Sequence, residues 1–324
     1  MDFTDRTVLV TGGAGFIGSH LVEHLVARGA RVRIVDDFST GRRENLTPWL
    51  GRIEVHEASV TDPSACARAC AGMDFVLHQA ALPSVQRSLA DPRRTHEVSA
   101  TGTLNMLHAA REAGVRRFVY AGSSSAYGDT PTLPKREDMA SNPRSPYAVA
   151  KLAGEHYAQV FPHLFGLDTV VLRYFNVFGP RQDPDSPYSA VIPLFILRAL
   201  RGEAPVINGD GGQTRDFTYV DNVVDANFRA CFAPAEGVVA EVFNVGSGER
   251  ISVVRLWEEV RAILGVDLKA RSGPPRPGDV RDSLADLTKI GQRLGYEVRV
   301  PLREGIERTI AWLRVQDVAE ARGA

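Results

Sequence analysis

The amino-acid sequence predicts an α/β fold, in which a doubly wound parallel sheet is followed by a smaller C-terminal α/β domain. Two observations lead to this prediction. Short β-branched and apolar runs alternate with amphipathic stretches along the first half of the 324 residues, a pattern typical of strands separated by helices. A glycine-rich turn follows the first run, and an acidic residue ends the second. Strands joined by helices pair in parallel, so a ligand is expected beyond their carboxyl ends.

The elements follow from these patterns in chain order. Strands are predicted at residues 7–11, 31–36, 53–56, 74–78 and 115–122, with helices that end near 28 and cover about 62–71, 92–113 and 146–161. The C-terminal part combines helices at about 192–201, 253–264, 284–294 and 302–314 with a strand at 242–246. We expect residues 1–177 to form the first domain and residues 178–216 and 234–324 the second, with 217–233 crossing back to the first.

Composition excludes several classes of function. The net charge of −1 gives no reason to expect nucleic acid or an anionic membrane as a partner. The start of the sequence is acidic and lacks the basic and apolar regions of a signal peptide, and the apolar run at 190–197 is too short to span a bilayer. Three cysteines form no disulfide framework. We therefore expect a cytoplasmic protein without a metal site.

The turn after the first strand reads Gly-Gly-Ala-Gly-Phe-Ile-Gly over residues 12–18, between a strand and a helix, where a dinucleotide-binding turn occurs. Gly12 would permit the tight turn, Gly15 the approach of a pyrophosphate, and Gly18 close packing of the helix on the strand. Asp36 ends the second strand and can accept hydrogen bonds from both ribose hydroxyls, whereas it would repel a 2′-phosphate. The alternative, a simple turn residue, is less favoured here, so the sequence predicts a Rossmann-type domain that binds NAD rather than NADP.

Tyr147 and Lys151 are four residues apart on a predicted helix and therefore share one face. A nearby ammonium would stabilise the phenolate, so the pair has the chemistry of a general base that later returns the proton. The plainer interpretation is a solvated lysine beside a half-buried tyrosine. The chain has four lysines against 34 arginines, which makes a lysine at this place less of a coincidence.

Three consecutive serines, Ser123, Ser124 and Ser125, end the fifth strand. A hydroxyl there would share a hydrogen bond with a reacting alcohol and the Tyr147 oxygen. On its own, the run is equally consistent with a polar turn.

Taken together, these motifs resemble the extended short-chain dehydrogenases/reductases, and within them the nucleotide-sugar 4-epimerases of the UDP-galactose 4-epimerase type. The resemblance rests on the glycine turn, Ser123, Tyr147 with Lys151, the Leu-Arg-Tyr-Phe-Asn-Val-Phe-Gly-Pro run at 172–180, Thr-Arg-Asp-Phe at 214–217 and Arg-Pro-Gly-Asp at 276–279. It covers nearly the whole chain in order. The amino-acid sequence around the serines and at 179–184 is most similar to that of the bacterial branch that acts on UDP-N-acetylglucosamine or UDP-uronic acids.

The resemblance implies a role for each matching residue. Tyr147 would be the acid/base, Lys151 would position it and bind the nicotinamide ribose, and Ser123 would bind the sugar 4-hydroxyl. The implied NAD-binding set is Gly12, Gly15, Phe16, Ile17, Gly18, Asp36, Asp37, Phe38, Ser39, Thr40, Gly41, Ser59, Val60, Gln79, Ala80, Ala81, Ser99, Tyr147, Lys151 and Phe175. The implied UDP-sugar set is Ser123, Ser124, Ser125, Tyr147, Asn176, Val191, Val206, Asn208, Arg215, Arg276, Asp279 and Ser283.

Departures from the family pattern bear on the substrate. Ser59 and Ser99 replace an Asp and an Asn near the cofactor, and the small Ser283 would leave room for a substituent such as N-acetyl on the hexose. Arg181 and the serine run are candidates for contacting a 6-carboxylate. The sequence therefore leaves UDP-glucose, UDP-N-acetylglucosamine and UDP-glucuronate open.

Two other functions compete with epimerisation. A sugar-nucleotide 4,6-dehydratase would carry an Asp-Glu pair where this chain has Ser124 and Ser125. A non-catalytic dinucleotide sensor would be expected to lose Tyr147 or Lys151, and both are present. The resemblance also implies a homodimer formed through the helices predicted at about 92–113 and 147–161.

Overall fold

The computed structural model of the protein describes residues 1–183, 191–274 and 280–323. Its strands are β1 (Thr7–Thr11), β2 (Arg31–Asp36), β3 (Ile53–Glu57), β4 (Phe75–His78), β5 (Arg117–Ser123), β6 (Thr169–Tyr174), β7 (Val177–Phe178), β8 (Val206–Asn208), β9 (Thr214–Arg215), β10 (Thr218–Tyr219), β11 (Val242–Val245), β12 (Ile251–Ser252) and β13 (Arg271–Gly273). Its helices are α1 (Phe16–Ala27), α2 (Pro63–Cys70), α3 (Val85–Ala90), α4 (Pro92–His96), α5 (Gly102–Glu112), α6 (Pro146–Phe165), α7 (Val191–Leu200), α8 (Val220–Phe232), α9 (Val253–Leu264), α10 (Thr288–Leu294) and α11 (Leu302–Gly323).

Seven strands form one parallel sheet in the order β11-β6-β5-β4-β1-β2-β3, which confirms the predicted Rossmann-type fold class. The central strands β1, β4, β5 and β6 are buried along nearly their whole length because helices cover both faces of the sheet, whereas the edge strand β3 is more exposed. One core packs α1 and α8 against one face, and a second packs α2, α5 and α6 against the other. Two opposite helical layers therefore leave the carboxyl ends of the strands as the open edge.

The register of the sheet brings the predicted motifs to that open edge. Thr11 of β1 lies beside Val35 of β2 and His78 of β4, and Ser123 at the end of β5 lies beside Tyr174. The glycine turn, Asp36, Gln79 and the serine run therefore all follow strand ends on the same side. Parallel pairing alone places these separate parts of the chain together.

The turn into α1 depends on its glycines. Gly12 has φ +66°, and a β-carbon there would lie 2.9 Å from the backbone nitrogen of Ala80. A β-carbon at Gly18 would overlap the carbonyl oxygen of Gly12. The helix can approach the strand as closely as it does only without side chains at these two positions.

Helix α6 starts and stops at recognisable signals. The Ser145 side chain accepts from the Ala148 N–H at 3.2 Å, and Pro146 occupies the first helical position. The helix ends at Gly166, which has the left-handed conformation. This start fixes the first turn, with Tyr147 and Lys151, against the end of β5.

Four predicted elements differ from the observed ones, one of which is the helix predicted at about 302–314, observed as α11 (Leu302–Gly323). The helix predicted at 92–113 is divided by a π-helical turn at Glu97–Thr101, and a β-carbon at Gly102 would lie 2.6 Å from the Val60 side chain. The helix predicted at 284–294 covers only Thr288–Leu294. The strand predicted at 242–246 was assigned to the second domain, but as β11 it pairs with β6 and extends the large sheet.

The C-terminal elements build a separate apolar core beside the sheet. It includes buried residues of α7, α9 and α11, with Trp257 against Phe195 at a ring-centroid distance of 5.5 Å. Short pairs β8–β13, β9–β12 and β7–β10 flank it. In the part of the chain that the structure describes, no helix has the length and apolar character needed to cross a membrane.

Candidate active site

A cavity of ≈ 720 Å³ lies at the carboxyl ends of the central strands. Its walls come from the glycine turn, the loop after β2, the ends of β3 and β4, and the start of α6. The predicted cofactor residues around it are Gly12, Gly15, Phe16, Ile17, Gly18, Asp36, Asp37, Phe38, Ser39, Thr40, Gly41, Ser59, Val60, Gln79, Ala80, Ala81, Tyr147 and Lys151. The fold therefore gathers most of that set around one space.

One end of this cavity is suited to a pyrophosphate. Helix α1 opens onto it, begins at Phe16 after Gly15 without a side-chain cap, and has no acidic residue in its first turn. Unshielded N–H groups and the positive end of the helix dipole favour an anion at such a place.

A neighbouring part of the cavity, beside the glycine turn, is suited to a ribose. Asp36 is held by the N–H groups of Ala14 at 2.9 Å and Phe38 at 2.8 Å, one on each carboxylate oxygen. Burial raises the pKa of Asp36, and these hydrogen bonds oppose the rise. A β-carbon at Gly41 would lie 2.8 Å from the carboxylate, so the loop passes close to it. The fixed acceptor fits hydroxyl groups and disfavours a second phosphate.

Tyr147 and Lys151 face the inner part of the cavity, next to Gly122. Burial raises the pKa of Tyr147, and a hydrogen bond with the Ser123 side chain opposes that rise. Burial is the larger of these two influences, and the effect of Lys151 on the phenolate stays a prediction. Burial lowers the pKa of Lys151 to about 7, against the opposing charge of Glu155.

The serine run is both a turn and a source of a directed hydroxyl. Residues Ser124–Tyr127 form a 3₁₀ turn, and the Ser123 oxygen accepts from the N–H of Ser125 at 3.2 Å and its hydroxyl at 2.8 Å. With these two donors in place, the Ser123 proton is left to donate outward. The polar turn that the sequence allowed is therefore present. Ser123, Ser124 and Ser125 are half-buried and lie outside the lining of the cavity, so a contact of the Ser123 hydroxyl with a reacting alcohol stays a prediction.

A second cavity of ≈ 240 Å³ begins beyond the end of β6. The predicted substrate residues Asn176, Val191, Val206, Asn208 and Arg215 line it, together with apolar side chains of α7. Tyr174 lines the first cavity and Asn176 the second, so this strand end contributes to the walls of both.

Several predicted residues are not brought to these cavities. Ser99 is fully buried and accepts from the Leu82 N–H at 3.4 Å, and Phe175 is buried against Tyr127. Ser283 is buried and lines neither cavity; its N–H donates to the Thr214 carbonyl at 3.1 Å. Their surroundings therefore do not support the contacts predicted for them.

Arg276 and Asp279 lie outside the described residues, as does most of the loop predicted at 273–278. Arg181, proposed from sequence as a carboxylate contact, points instead to α1, where it bonds the Ser19 carbonyl, His20 and Glu23. Its guanidinium is thus engaged at the cofactor side.

Sequence reasoning missed residues that reach the cavity from elsewhere. The Tyr174 hydroxyl lies at the cofactor cavity and bonds Gln79 at 3.2 Å. Arg42 and Asp183 form an ion pair at 2.9 Å, and both line the same space. The position of Arg42 directly after the predicted contact run at 36–41 was an available signal; for Asp183 the sequence carried none.

The fold and the site define an NAD-binding enzyme of the extended short-chain dehydrogenase/reductase class. Residues 8–246 match the NAD dependent epimerase/dehydratase family, and the chain belongs to that family. This confirms the resemblance drawn from the sequence, and NAD as the cofactor.

Three relatives illustrate the range of similar proteins. A UDP-glucose 4-epimerase of Mycolicibacterium smegmatis is 41% identical over 310 residues, covering 94% of this chain and 98% of its own length. A solved UDP-N-acetylglucosamine 4-epimerase of Methanobrevibacter ruminantium is 37% identical with a TM-score of 0.92, covering 97% and 99% of the two chains. A solved dTDP-glucose 4,6-dehydratase of Streptomyces venezuelae, with NAD bound, is 31% identical with a TM-score of 0.88, covering 96% and 97%. With 4-epimerases among these relatives, the enzyme is an isomerase.

Proposed function

We propose that the protein is a UDP-sugar 4-epimerase that inverts C4 of a UDP-hexose. The observation that carries this is the placement of Tyr147 and the buried Lys151 together on the wall of the NAD cavity, where the nearby Ser123 hydroxyl lowers the pKa of Tyr147 against the effect of burial. A hydroxyl pair of this kind can hold a secondary alcohol and exchange its proton. The adjoining second cavity offers space for a nucleotide whose sugar extends toward that pair.

Each residue of the site has a role in this reaction. NAD, when bound, supplies an acceptor for the C4 hydride and a donor that returns it to the opposite face of the 4-keto sugar. Tyr147 takes the proton of the 4-hydroxyl and later gives it back. Ser123 donates a hydrogen bond to the same oxygen, and the Lys151 cation favours the phenolate when the proton leaves. Asp36 and the start of α1 hold the cofactor.

Inversion requires firm binding of the nucleotide and loose binding of the sugar. Arg215 lines the second cavity with Asn176 and Asn208, and its planar fork suits a diphosphate. Val206 is 49% exposed and lines the cavity, so its backbone is within reach of a nucleotide base at the cavity mouth. Arg276 and Asp279 complete this proposed nucleotide site on the evidence of their sequence motif.

The competing reaction is 4,6-dehydration, because a dehydratase is among the similar structures. That reaction removes a proton from C5 and a hydroxyl from C6, and so needs further acid and base groups. Ser124 and Ser125 stand where the sequence resemblance places those groups, and neither side chain titrates in the required range. The site therefore favours epimerisation.

The identity of the sugar is tested with a panel of UDP-glucose, UDP-N-acetylglucosamine and UDP-glucuronate. Because Arg181 is engaged with α1, we expect the two 6-alcohols to be turned over faster than the 6-carboxylate. Products are followed by proton NMR of the sugar nucleotide in the presence of NAD. A C4 epimer supports the proposal, while a 4-keto-6-deoxy product or no product contradicts it.

A homodimer is part of the proposal. Helix α6 exposes a row of apolar side chains that no other part of the described chain covers, among them Val149 at 51%, Val160 at 42% and Leu164 at 69%. These positions recur at helical spacing along one face. Packing that face against a second copy would remove it from water.

A further inference from the structure

We infer that Tyr120 is a positioning residue that holds the Lys151 ammonium in place for the proton transfer. The inference rests on the proposed function for its catalytic consequence and on the geometry around Lys151 for everything else. Tyr120 lies in β5, three residues before Ser123, and its side chain is fully buried.

The first contact is between charge and ring. The Lys151 Nζ lies over the Tyr120 ring, 4.6 Å from its centroid. An ammonium over an aromatic face is stabilised by the quadrupole of the ring, and the stabilisation grows when water is excluded. Here both groups are buried, so the ring supports the charged form of Lys151 where solvent cannot.

The second contact fixes the backbone of the same lysine. The Tyr120 hydroxyl donates to the Lys151 carbonyl at 3.0 Å. A β-carbon at Gly154 would overlap that hydroxyl and lie 2.8 Å from the ring carbon bearing it, so α6 can rest on Tyr120 only because this residue is glycine. Burial holds the pKa of Tyr120 well above its usual value, which keeps the donated proton in place. One side chain thus contacts Lys151 at both its ends.

Among the charged and titratable neighbours of Lys151, Glu155 also supports the ammonium, so the ring acts together with that carboxylate. From β4, His78 stacks on Tyr120 at 5.9 Å, and burial lowers its pKa to about 3, so it stays neutral. From α6 itself, Glu155 is engaged by Arg173 through two hydrogen bonds, and burial raises the pKa of Tyr147.

The consequence is that Lys151 gains and loses its proton close to neutral pH. Since burial lowers the pKa of Lys151 to about 7, a further fall removes the ammonium at the pH of the reaction. Loss of the Tyr120 ring takes away a stabiliser of the charged form, so the pKa of Lys151 falls. The high-pH limb of the activity profile, where Lys151 loses its proton, then moves to lower pH.

The test compares three variants with the wild type. Tyr120→Leu removes the ring, and Tyr120→Phe keeps the ring but loses the hydroxyl. Phe118→Leu is the matched control, because Phe118 is also fully buried on β5, two residues away on the same core face. Urea unfolding of each purified holoenzyme measures the free energy of unfolding that Tyr120→Leu and Phe118→Leu both lose with a buried ring.

The decisive readout is the pKa of Lys151 itself. The chain has four lysines, so lysine labelled with ¹³C at Cε gives few signals, and Lys151→Met assigns the one of interest. We expect Tyr120→Leu to lower that pKa by about one unit, while Tyr120→Phe and Phe118→Leu leave it near the wild-type value. Equal pKa values in Tyr120→Leu and wild type, or an equal shift in Phe118→Leu, would overturn the inference.

Activity of the same samples separates this inference from the proposed function. In the epimerase assay, we expect kcat of Tyr120→Leu to fall about tenfold at pH 8, with its high-pH limb displaced downward by the same unit. In a Lys151→Met background, Tyr120→Leu is expected to have no further effect on kcat. A wild-type enzyme without turnover would refute the proposed function, while the NMR titration would still decide the role of Tyr120.

Discussion

Replacing Glu155 by glutamine is expected to destabilise the protein by about 3–5 kcal/mol, the cost of leaving a buried charge without its partner. Glu155 and Arg173 have side chains 2% and 4% exposed, and their two hydrogen bonds measure 2.9 and 2.6 Å. A third guanidinium nitrogen of Arg173 is already buried without a hydrogen bond in the described structure. The glutamine side chain could accept one bond but would not neutralise the guanidinium, and the Tyr127 ring, 4.6 Å away, would be the nearest compensation.

The loss is measured by urea unfolding of the holoenzyme, followed by tryptophan fluorescence and circular dichroism. The matched control is Glu258→Gln, which breaks an exposed pair with Arg255 at 2.7 Å and should cost less than about 1 kcal/mol. Because Glu155 also supports the charge of Lys151, the variant should lower the pKa of Lys151 as well. A stability loss as small as that of the control would show that the buried pair does not act as described.

Three further predictions concern the site and the assembly. Tyr147→Phe should retain NAD yet lose about 10²–10⁴-fold in kcat, because no group replaces the base; wild-type turnover would exclude Tyr147 from the chemistry. Asp36→Ala should weaken NAD binding at least about tenfold, measured by calorimetry, because the ribose loses a charged acceptor. The difference in affinity between NAD and NADP should also become smaller. An unchanged affinity for NAD would argue against this placement of the ribose. Leu164→Asp should yield a monomer by analytical ultracentrifugation, while Val315→Asp, which changes an equally exposed residue of α11, should not; equal masses for wild type and Leu164→Asp would contradict the proposed interface.

Much of the first half of the fold could be predicted from local patterns. Five strands fall at the predicted places because buried parallel strands such as β1 and β4 are apolar runs, and β2 and β3 are short β-branched runs that the sequence also displays directly. The strand at 242–245 was found but assigned to the wrong unit, since its neighbour β6 lies far away in sequence. The π-helical turn at Glu97–Thr101 has no local signal, because it arises where α5 meets Val60.

The site was predictable where a motif carries its own geometry. The glycine turn, Asp36 and the Tyr147–Lys151 spacing predicted a cavity whose lining matches them. Ser99, Phe175 and Ser283 were carried over by resemblance, and their surroundings in this chain direct them elsewhere.

The sequence by itself determined the fold class, the family and the residues suited to the chemistry, because strand periodicity, the glycine spacing and the i, i+4 pair are local properties of the chain. Only the tertiary structure decided how those residues are tuned. Burial raises the pKa of Tyr147 and lowers that of Lys151 to about 7. It also placed Tyr120, which carries no motif, beneath the lysine. Desolvation and contacts between distant strands depend on the whole fold, so no local pattern could have revealed them.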